Sequence, residues 1–149
     1  MAVGPITLLD RAVEKVGHGS FDFRTDPFKI ALCTKLEGMS AAYAGTSGDA
    51  LYSDLQHEVS GPGYVAGGKG MTGLSWTRTG SVTLFAASPA VWETLAATMK
   101  FAVIYRDSGD KDILAFFDLE TAEVDGRISG GGDFIITFAD GVFDATRSA

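Results

Sequence analysis

The chain has 149 residues, 19 of them glycine, and a formal net charge of −7. Its length predicts a single domain, residues 1–149, that can bury an ordinary hydrophobic core. The 12 Lys and Arg residues form no run, and phosphate groups require clustered cations, so we expect no binding to nucleic acid or to an anionic membrane.

The N-terminal segment, from about residue 6 to residue 16, predicts the one helix of the chain. Apolar residues recur there at helical spacing and form one stripe, which consists of Leu9, Ala12, Val13 and Val16. Thr7 is placed to cap the first turn, and Gly17 is placed to supply the left-handed conformation that ends a helix. So short a helix must dock, and we expect its stripe to be buried. The segment lacks the pattern of a secretory signal, so we expect no export.

From about residue 21 onward the hydrophobic pattern changes to that of short strands. Phe21 and Phe23 alternate with polar neighbours, and residues 28–33 place alternate apolar side chains on one buried face. Further strand candidates recur at intervals of about 8 to 15 residues between turns rich in Gly, Asp and Ser. Residues 100–119 form the clearest hairpin, and residues 139–141 repeat its turn signal.

Two stretches do not follow this strand pattern. Residues 37–50 predict a long surface loop, and residues 87–99 predict a loop or a short helix. We therefore predict a mainly β protein: an antiparallel β-sandwich or flattened barrel with one short N-terminal helix.

One glycine-rich segment resembles a phosphate-binding loop in its spacing. Gly63, Gly68 and Lys69 stand at the positions at which such a loop would cradle phosphate. Gly70 occupies the next position, where a hydroxyl residue would hold Mg²⁺, and a strand pattern follows in place of a helix. The segment therefore predicts a flexible glycine hairpin.

Residues that carry metal or nucleophilic chemistry are few. One acidic turn offers carboxylates but lacks the glycine and glutamate of an EF-hand loop; its residues are Asp107, Asp110 and Asp112. His18 and His57 are the only histidines, and the single cysteine, Cys33, lies in an apolar context typical of a buried structural thiol. No spacing forms a catalytic triad or a zinc site, so we expect no enzyme, no catalytic residue, no metal and no cofactor.

Aromatic side chains are the remaining candidates for contacts with a partner, because aromatic anchors dominate protein interfaces. The candidate interface residues are Tyr43, Tyr52, Tyr64, Trp76 and Trp92. For any one of these residues, burial in the core is a more common role than contact with a partner.

Taken in chain order, several blocks of this sequence resemble small structural proteins of tailed bacteriophages. The blocks are LLDRAVEKVGHGSFDFRTD, PFKIALCT, YSDLQHEVSGPGYVAGGKGMTG, KFAVIYRDSGDKDILAFFDL and GGDFIITFADGVFDAT. Their order covers nearly the whole chain, and HEVSGPGYVAGG followed by FAVIYRDSG is the most specific part. The resemblance implies a virion component without enzymatic activity, which in some members is a head decoration or cement protein.

The leading hypothesis is therefore a capsid decoration protein that binds and stabilises the outer head shell. Such a protein would be a small homo-oligomer, assembled in the bacterial host cytoplasm, with the major capsid protein or other virion subunits as its partners. A tail, fibre or baseplate component is the alternative among structural proteins. A carbohydrate-binding module, with Trp76, Trp92 or a tyrosine as a stacking platform, is the alternative from another class, and the fold alone does not distinguish them.

Overall fold

The structure is a computed structural model that describes residues 6–36, 50–122 and 126–146. Within these ranges the chain forms one helix, α1 (Asp10–Gly17), a 3₁₀ turn (Tyr52–Asp54) and short strands. The strands are β1 (Thr7–Leu8), β2 (Phe28–Cys33), β3 (Lys69–Gly70), β4 (Ser75–Thr79), β5 (Val82–Ala86), β6 (Ala90–Trp92), β7 (Ala96–Met99), β8 (Phe101–Arg106), β9 (Ile113–Asp118), β10 (Arg127–Gly130), β11 (Phe134–Ile136) and β12 (Phe143–Thr146). No helix in this part of the chain is long and apolar enough to cross a membrane.

The strands form one large sheet and three small ones, and every pairing is antiparallel. The large sheet has the order β1-β9-β8-β2-β3, and the small sheets are β12-β5-β4, β10-β7 and β11-β6. No sheet in the described ranges closes on itself, so the fold is sandwich-like and is not a barrel. The predicted class, a mainly β antiparallel fold with one short helix, is confirmed.

The β8-β9 hairpin and β2 form the centre of the core. The hairpin is the one predicted from residues 100–119, and β2 pairs with β8 along its whole length. Ile30, Leu32, Val103 and Leu114 are fully buried. Burying a side chain of this size contributes about 1.5–3 kcal/mol, so this layer accounts for much of the stability.

A cluster of aromatic rings joins the large sheet to the β12-β5-β4 sheet. Phe28 on β2 lies edge-on to Phe85 on β5, with ring centroids 5.4 Å apart. Phe23 lies 4.7 Å from Phe85 and 5.2 Å from Phe143 on β12. Such ring pairs contribute beyond their buried area, so this cluster fixes how the two sheets meet.

The helix starts later than the sequence predicts, because the residues before it form a strand that pairs with β9. Residues 7–8 form β1 and pair with the edge of β9. The N–H of Leu9 donates to the carbonyl of Leu114 at 3.1 Å, so Leu9 is the N-cap, and Thr7 does not cap the helix. At the other end Gly17 is still helical, and Gly19, with φ +76°, supplies the left-handed residue.

The apolar stripe of α1 is only partly buried. Leu9 and Ala12 are each 2% exposed, and Val16 packs against the edge of the core. Val13 is 54% exposed, so the prediction that it is buried was wrong. A helix of eight residues that lies against β9 has too narrow a contact to cover four positions.

The segment around Phe21 and Phe23 is buried but is not a strand. Both rings are in the core, whereas residues 23–25 form a turn. The main-chain N–H of Arg24 donates to the Asp22 carboxylate at 2.9 Å, and the N–H of Asp22 donates to the Asp26 carboxylate at 2.8 Å. These side-chain hydrogen bonds compete with strand pairing and favour the turn.

Residues 87–99 contain β6 and β7, so the prediction of a loop or short helix there was wrong. Trp92 and Leu95 are buried in this segment, and burial against neighbouring strands decided its structure. The turn at residues 139–141 is present, but it joins strands that pair with β6 and β5 and not with each other. The predicted surface loop at residues 37–50 lies outside the described residues except for Ala50, which is buried.

Candidate protein interface

The five aromatic residues predicted for an interface have different environments. Tyr43 lies outside the described residues. Trp92 is 2% exposed and stacks on Phe134 with ring centroids 5.9 Å apart, so its ring belongs to the core. Trp76 is half-buried at the margin of the aromatic cluster, 5.0 Å from Phe23, and keeps part of its ring accessible.

Tyr52 and Tyr64 are joined by a carboxylate that sequence reasoning missed. The hydroxyls of both tyrosines donate to Glu58 at 2.6 Å. The main-chain N–H of Gly67 donates to the same carboxylate at 2.7 Å. Because each ring is anchored through its hydroxyl, we expect both side chains to order the residues 50–70 segment against β2.

Burial controls the ionisation of the groups around this carboxylate. It raises the pKa of Tyr52 to about 12, with the hydrogen bond to Glu58 as a further cause. It also raises the pKa of Tyr64. Cys33 forms an isolated β-bridge with Glu58, and burial raises the pKa of its thiol to about 12. The thiol therefore stays protonated near neutral pH, which is typical of a structural cysteine.

The glycine-rich segment at the phosphate-loop spacing is held against β2. The N–H of Gly67 is used by Glu58, and the N–H of Gly68 donates to the carbonyl of Val65 at 3.0 Å. Gly68 has φ +83°, and a Cβ added there would lie 1.9 Å from the carbonyl oxygen of Ile30. The need for glycine at this position is therefore explained by close approach of two backbones.

Two of the three carboxylates in the acidic turn are paired with cations of the chain itself. Asp112 contacts Lys15 of α1 and accepts a hydrogen bond from Arg106 at 2.7 Å. Asp107 lies 3.2 Å from Lys29 and 3.4 Å from Lys111. In the described part of the chain, no group of three or more His, Cys, Asp or Glu residues is placed to hold a metal ion.

A groove of about 330 Å³ opens beside the C-terminal end of β9, with β10, β11 and the connection to β12 as its walls. Its lining is mostly apolar and includes Ile6, Phe117, Leu119, Phe134, Ile135 and Phe138. Ile135 is 54% exposed, whereas Phe117, Leu119 and Phe134 are buried beneath the surface. An apolar groove with an exposed isoleucine in its lining is typical of a surface that receives another apolar group.

Arg127 also lines this groove. Its guanidinium lies over the ring of Phe134, 5.6 Å from the centroid, and donates to the carbonyl of Leu119 at 3.1 Å. The carboxylate of Glu120 lies 3.9 Å away. The Nε of Arg127 is buried and has no hydrogen-bond partner among the described residues. A buried donor without an acceptor is costly, so this atom lowers the stability of the folded chain.

A second isoleucine, next along the chain from Arg127, also faces solvent. Ile128 on β10 is 78% exposed. Strand alternation could have found Ile135, because in FIIT one of three consecutive apolar residues must face outward. Neither isoleucine was predicted, because only aromatic residues were considered as interface anchors.

The chain was compared with protein-family models, with curated proteins and with solved structures. None of the three comparisons finds a match. The geometry of the groove and the order of the sequence blocks are therefore the observations that bear on function.

Proposed function

We propose that this protein is a virion structural protein, a capsid decoration or cement protein that binds the outer face of the assembled head shell. The order of the sequence blocks, which resembles small structural proteins of tailed phages, supports this function. The mainly β fold suits a role in assembly. The single observation that carries the proposal is the apolar groove with Ile135 exposed in its lining.

The groove suits an apolar peptide segment of the major capsid protein. Its apolar lining would remove the side chains of such a segment from water, at about 25 cal/mol for each Å² buried. The apolar lining, with Ile135 exposed in it, favours a protein partner.

The test is the binding of purified protein to phage heads assembled without it. We expect the protein to co-sediment with the heads, and electron cryomicroscopy to place it on the outer shell. Ile135→Glu should abolish binding, because it would place a charge at the apolar contact. Val13→Glu is the matched control, since Val13 has the same exposed fraction, 54%, on the helix.

Each other outcome overturns part of the proposal. Density on the tail, with bare heads, would favour a tail, fibre or baseplate component. Equal loss of binding by both variants would show that the groove is not the contact. Binding to glycans in place of particles would favour a carbohydrate-binding module, although the buried ring of Trp92 cannot serve as its platform in this conformation.

A further inference from the structure

Strand β4 is an outer strand whose main chain is unpaired on one side. It pairs with β5 along its whole length, from Ser75 opposite Ala86 to Thr79 opposite Val82. In the order β12-β5-β4, no described strand lies beyond it. β4 therefore offers its outer edge as a template for a further strand.

Hairpin geometry shows which groups face outward. The two strands are joined by a two-residue turn, so Thr79 and Val82 form the closing pair and exchange both hydrogen bonds. Hydrogen-bonded and non-hydrogen-bonded pairs alternate along the two strands from this closing pair. The N–H and C=O groups of Trp76 and Arg78 therefore point away from β5. Outside the strand ladders, no main-chain hydrogen bond within the described ranges uses either residue.

The outer edge of β4 lacks proline and a bulge, two of the features that prevent strand pairing. Its sequence, SWTRT, contains no proline, and its register with β5 has no bulge. Its one charge is Arg78, and residues 77–79 are exposed. By contrast, the edges of the large sheet are β1 and β3, which have two residues each and are too short to template a strand.

We infer that this edge is a self-association site, at which a second copy of the chain pairs its own β4 antiparallel to the first. The two β12-β5-β4 sheets then become one continuous sheet across a two-fold axis at Thr77. Trp76 and Arg78 of one copy face Arg78 and Trp76 of the other, and the two pairs exchange about four main-chain hydrogen bonds. The inference does not depend on the virion function.

Side-chain chemistry favours this register over the one centred on Arg78. The pairing centred on Thr77 places each guanidinium opposite a tryptophan ring, where a cation is attracted by the π-face. It also uses all five residues of the strand and pairs hydroxyl residues with one another. A shift that centres the pair on Arg78 would set two arginines directly opposite and shorten the overlap, and like charges in that position are destabilising.

Disulfide trapping tests the register directly. Thr77 residues of the two copies would face each other as a non-hydrogen-bonded pair, with Cα atoms about 4.5 Å apart, which is within reach of a disulfide. We expect Thr77→Cys to form a covalent dimer on mild oxidation, whereas Thr79→Cys, also exposed but placed opposite Ser75, forms no covalent dimer. Cys33 is buried and does not interfere. Equal cross-linking of both variants, or of neither, overturns the inference.

Sedimentation over a range of concentrations tests the main-chain pairing. We expect the unmodified protein to dimerise reversibly, and Arg78→Pro to weaken association at least about tenfold, because proline removes an outward N–H without touching the ladder to β5. Arg78→Ala keeps that N–H and should weaken association much less. The inference is contradicted if the protein stays monomeric at every concentration, or if the two variants have equal effects. If Arg78→Pro does not fold, the comparison of Thr77→Cys with Thr79→Cys tests the inference.

Discussion

The hydroxyl of Tyr64 donates a hydrogen bond to the carboxylate of Glu58 at 2.6 Å, six residues earlier in the chain. The same hydroxyl accepts a hydrogen bond from the main-chain N–H of Leu32 at 3.1 Å. Next to it, the hydroxyl of Tyr105 donates to the carbonyl of Gly67 at 2.6 Å. Residues 50–70 contain one strand of two residues, β3. These side-chain hydrogen bonds therefore fix the segment to the centre of the large sheet.

The first prediction concerns this tyrosine. Tyr64→Phe removes a donor from Glu58 and leaves the N–H of Leu32 without its acceptor, so we expect a loss of about 2–3 kcal/mol in the free energy of unfolding. Tyr52→Phe is the matched control, because its hydroxyl donates to the same carboxylate but lies outside the contact with the N–H of Leu32. Urea denaturation measures both variants. A loss from Tyr64→Phe no larger than that from Tyr52→Phe would contradict the joint role of the Tyr64 hydroxyl.

The second prediction concerns alkaline pH. Burial raises the pKa of Tyr52 from 10.0 to about 12 and also raises those of Tyr64 and Tyr105, while the pKa of Cys33 rises from 9.0 to about 12. The unfolded chain therefore releases these protons at lower pH than the folded chain. Stability should be unaffected by these groups below about pH 9 and should fall as pH rises from there towards 12.

Urea midpoints at several alkaline pH values measure this dependence. Tyr64→Phe should show a shallower fall than the unmodified protein, because one of the raised groups is gone. Tyrosine ultraviolet absorbance gives an independent readout, since the hydroxyls should ionise at higher pH in folded protein than in urea. Coincident titrations in the two states would show that the tyrosines are not held in this network.

The third prediction concerns the ion pairs that join the helix to the β8-β9 hairpin. The side chain of Asp112 is 7% exposed and pairs with Lys15 and Arg106. Asp112→Asn removes the carboxylate that two largely buried cations share, and we expect a loss of about 3 kcal/mol, because Arg106 keeps only the longer contact with Asp26, at 4.0 Å. Asp107→Asn, at the more exposed pair with Lys29 and Lys111, should cost about 1 kcal/mol or less. Thermal unfolding compares the two, and equal losses would contradict the ranking by burial.

Sequence patterns predicted the class of the fold and its strongest hairpin, because period-two apolar alternation shows directly which side of a strand is buried. They failed where long-range contacts decide. Residues 7–8 became a strand because β9 offered an unpaired edge, and Phe21 and Phe23 entered the core from a turn. The Glu58 network was missed because Tyr52, Tyr64 and Gly67 lie six to nine residues from Glu58 in an irregular segment, where neither helix nor strand periodicity aligns them.

The fourth prediction follows from the partial burial of the helix stripe. Leu9→Ala should cost about 2–5 kcal/mol, because Leu9 is 2% exposed and its removal leaves a cavity against β9. Val13→Ala, on the exposed side of the same helix, should change stability by about 0.5 kcal/mol or less. Chemical denaturation of both variants checks this. If the Leu9 variant loses no more than the Val13 variant, α1 is not docked as described.

The last prediction concerns the close approach of the glycine-rich segment to β2. Gly68 has φ +83°, a conformation that side chains disfavour, and a Cβ there would lie 1.9 Å from the carbonyl oxygen of Ile30. Gly68→Ala should therefore cost about 2 kcal/mol or more, from backbone strain together with the displacement of one chain from the other. Gly70→Ala is the matched control two residues away, because a Cβ there meets nothing within 4 Å. We expect the Gly70 variant to unfold at nearly the same urea concentration as the unmodified protein. Equal losses from both variants would mean that residues 68–70 do not pack on β2 through this contact.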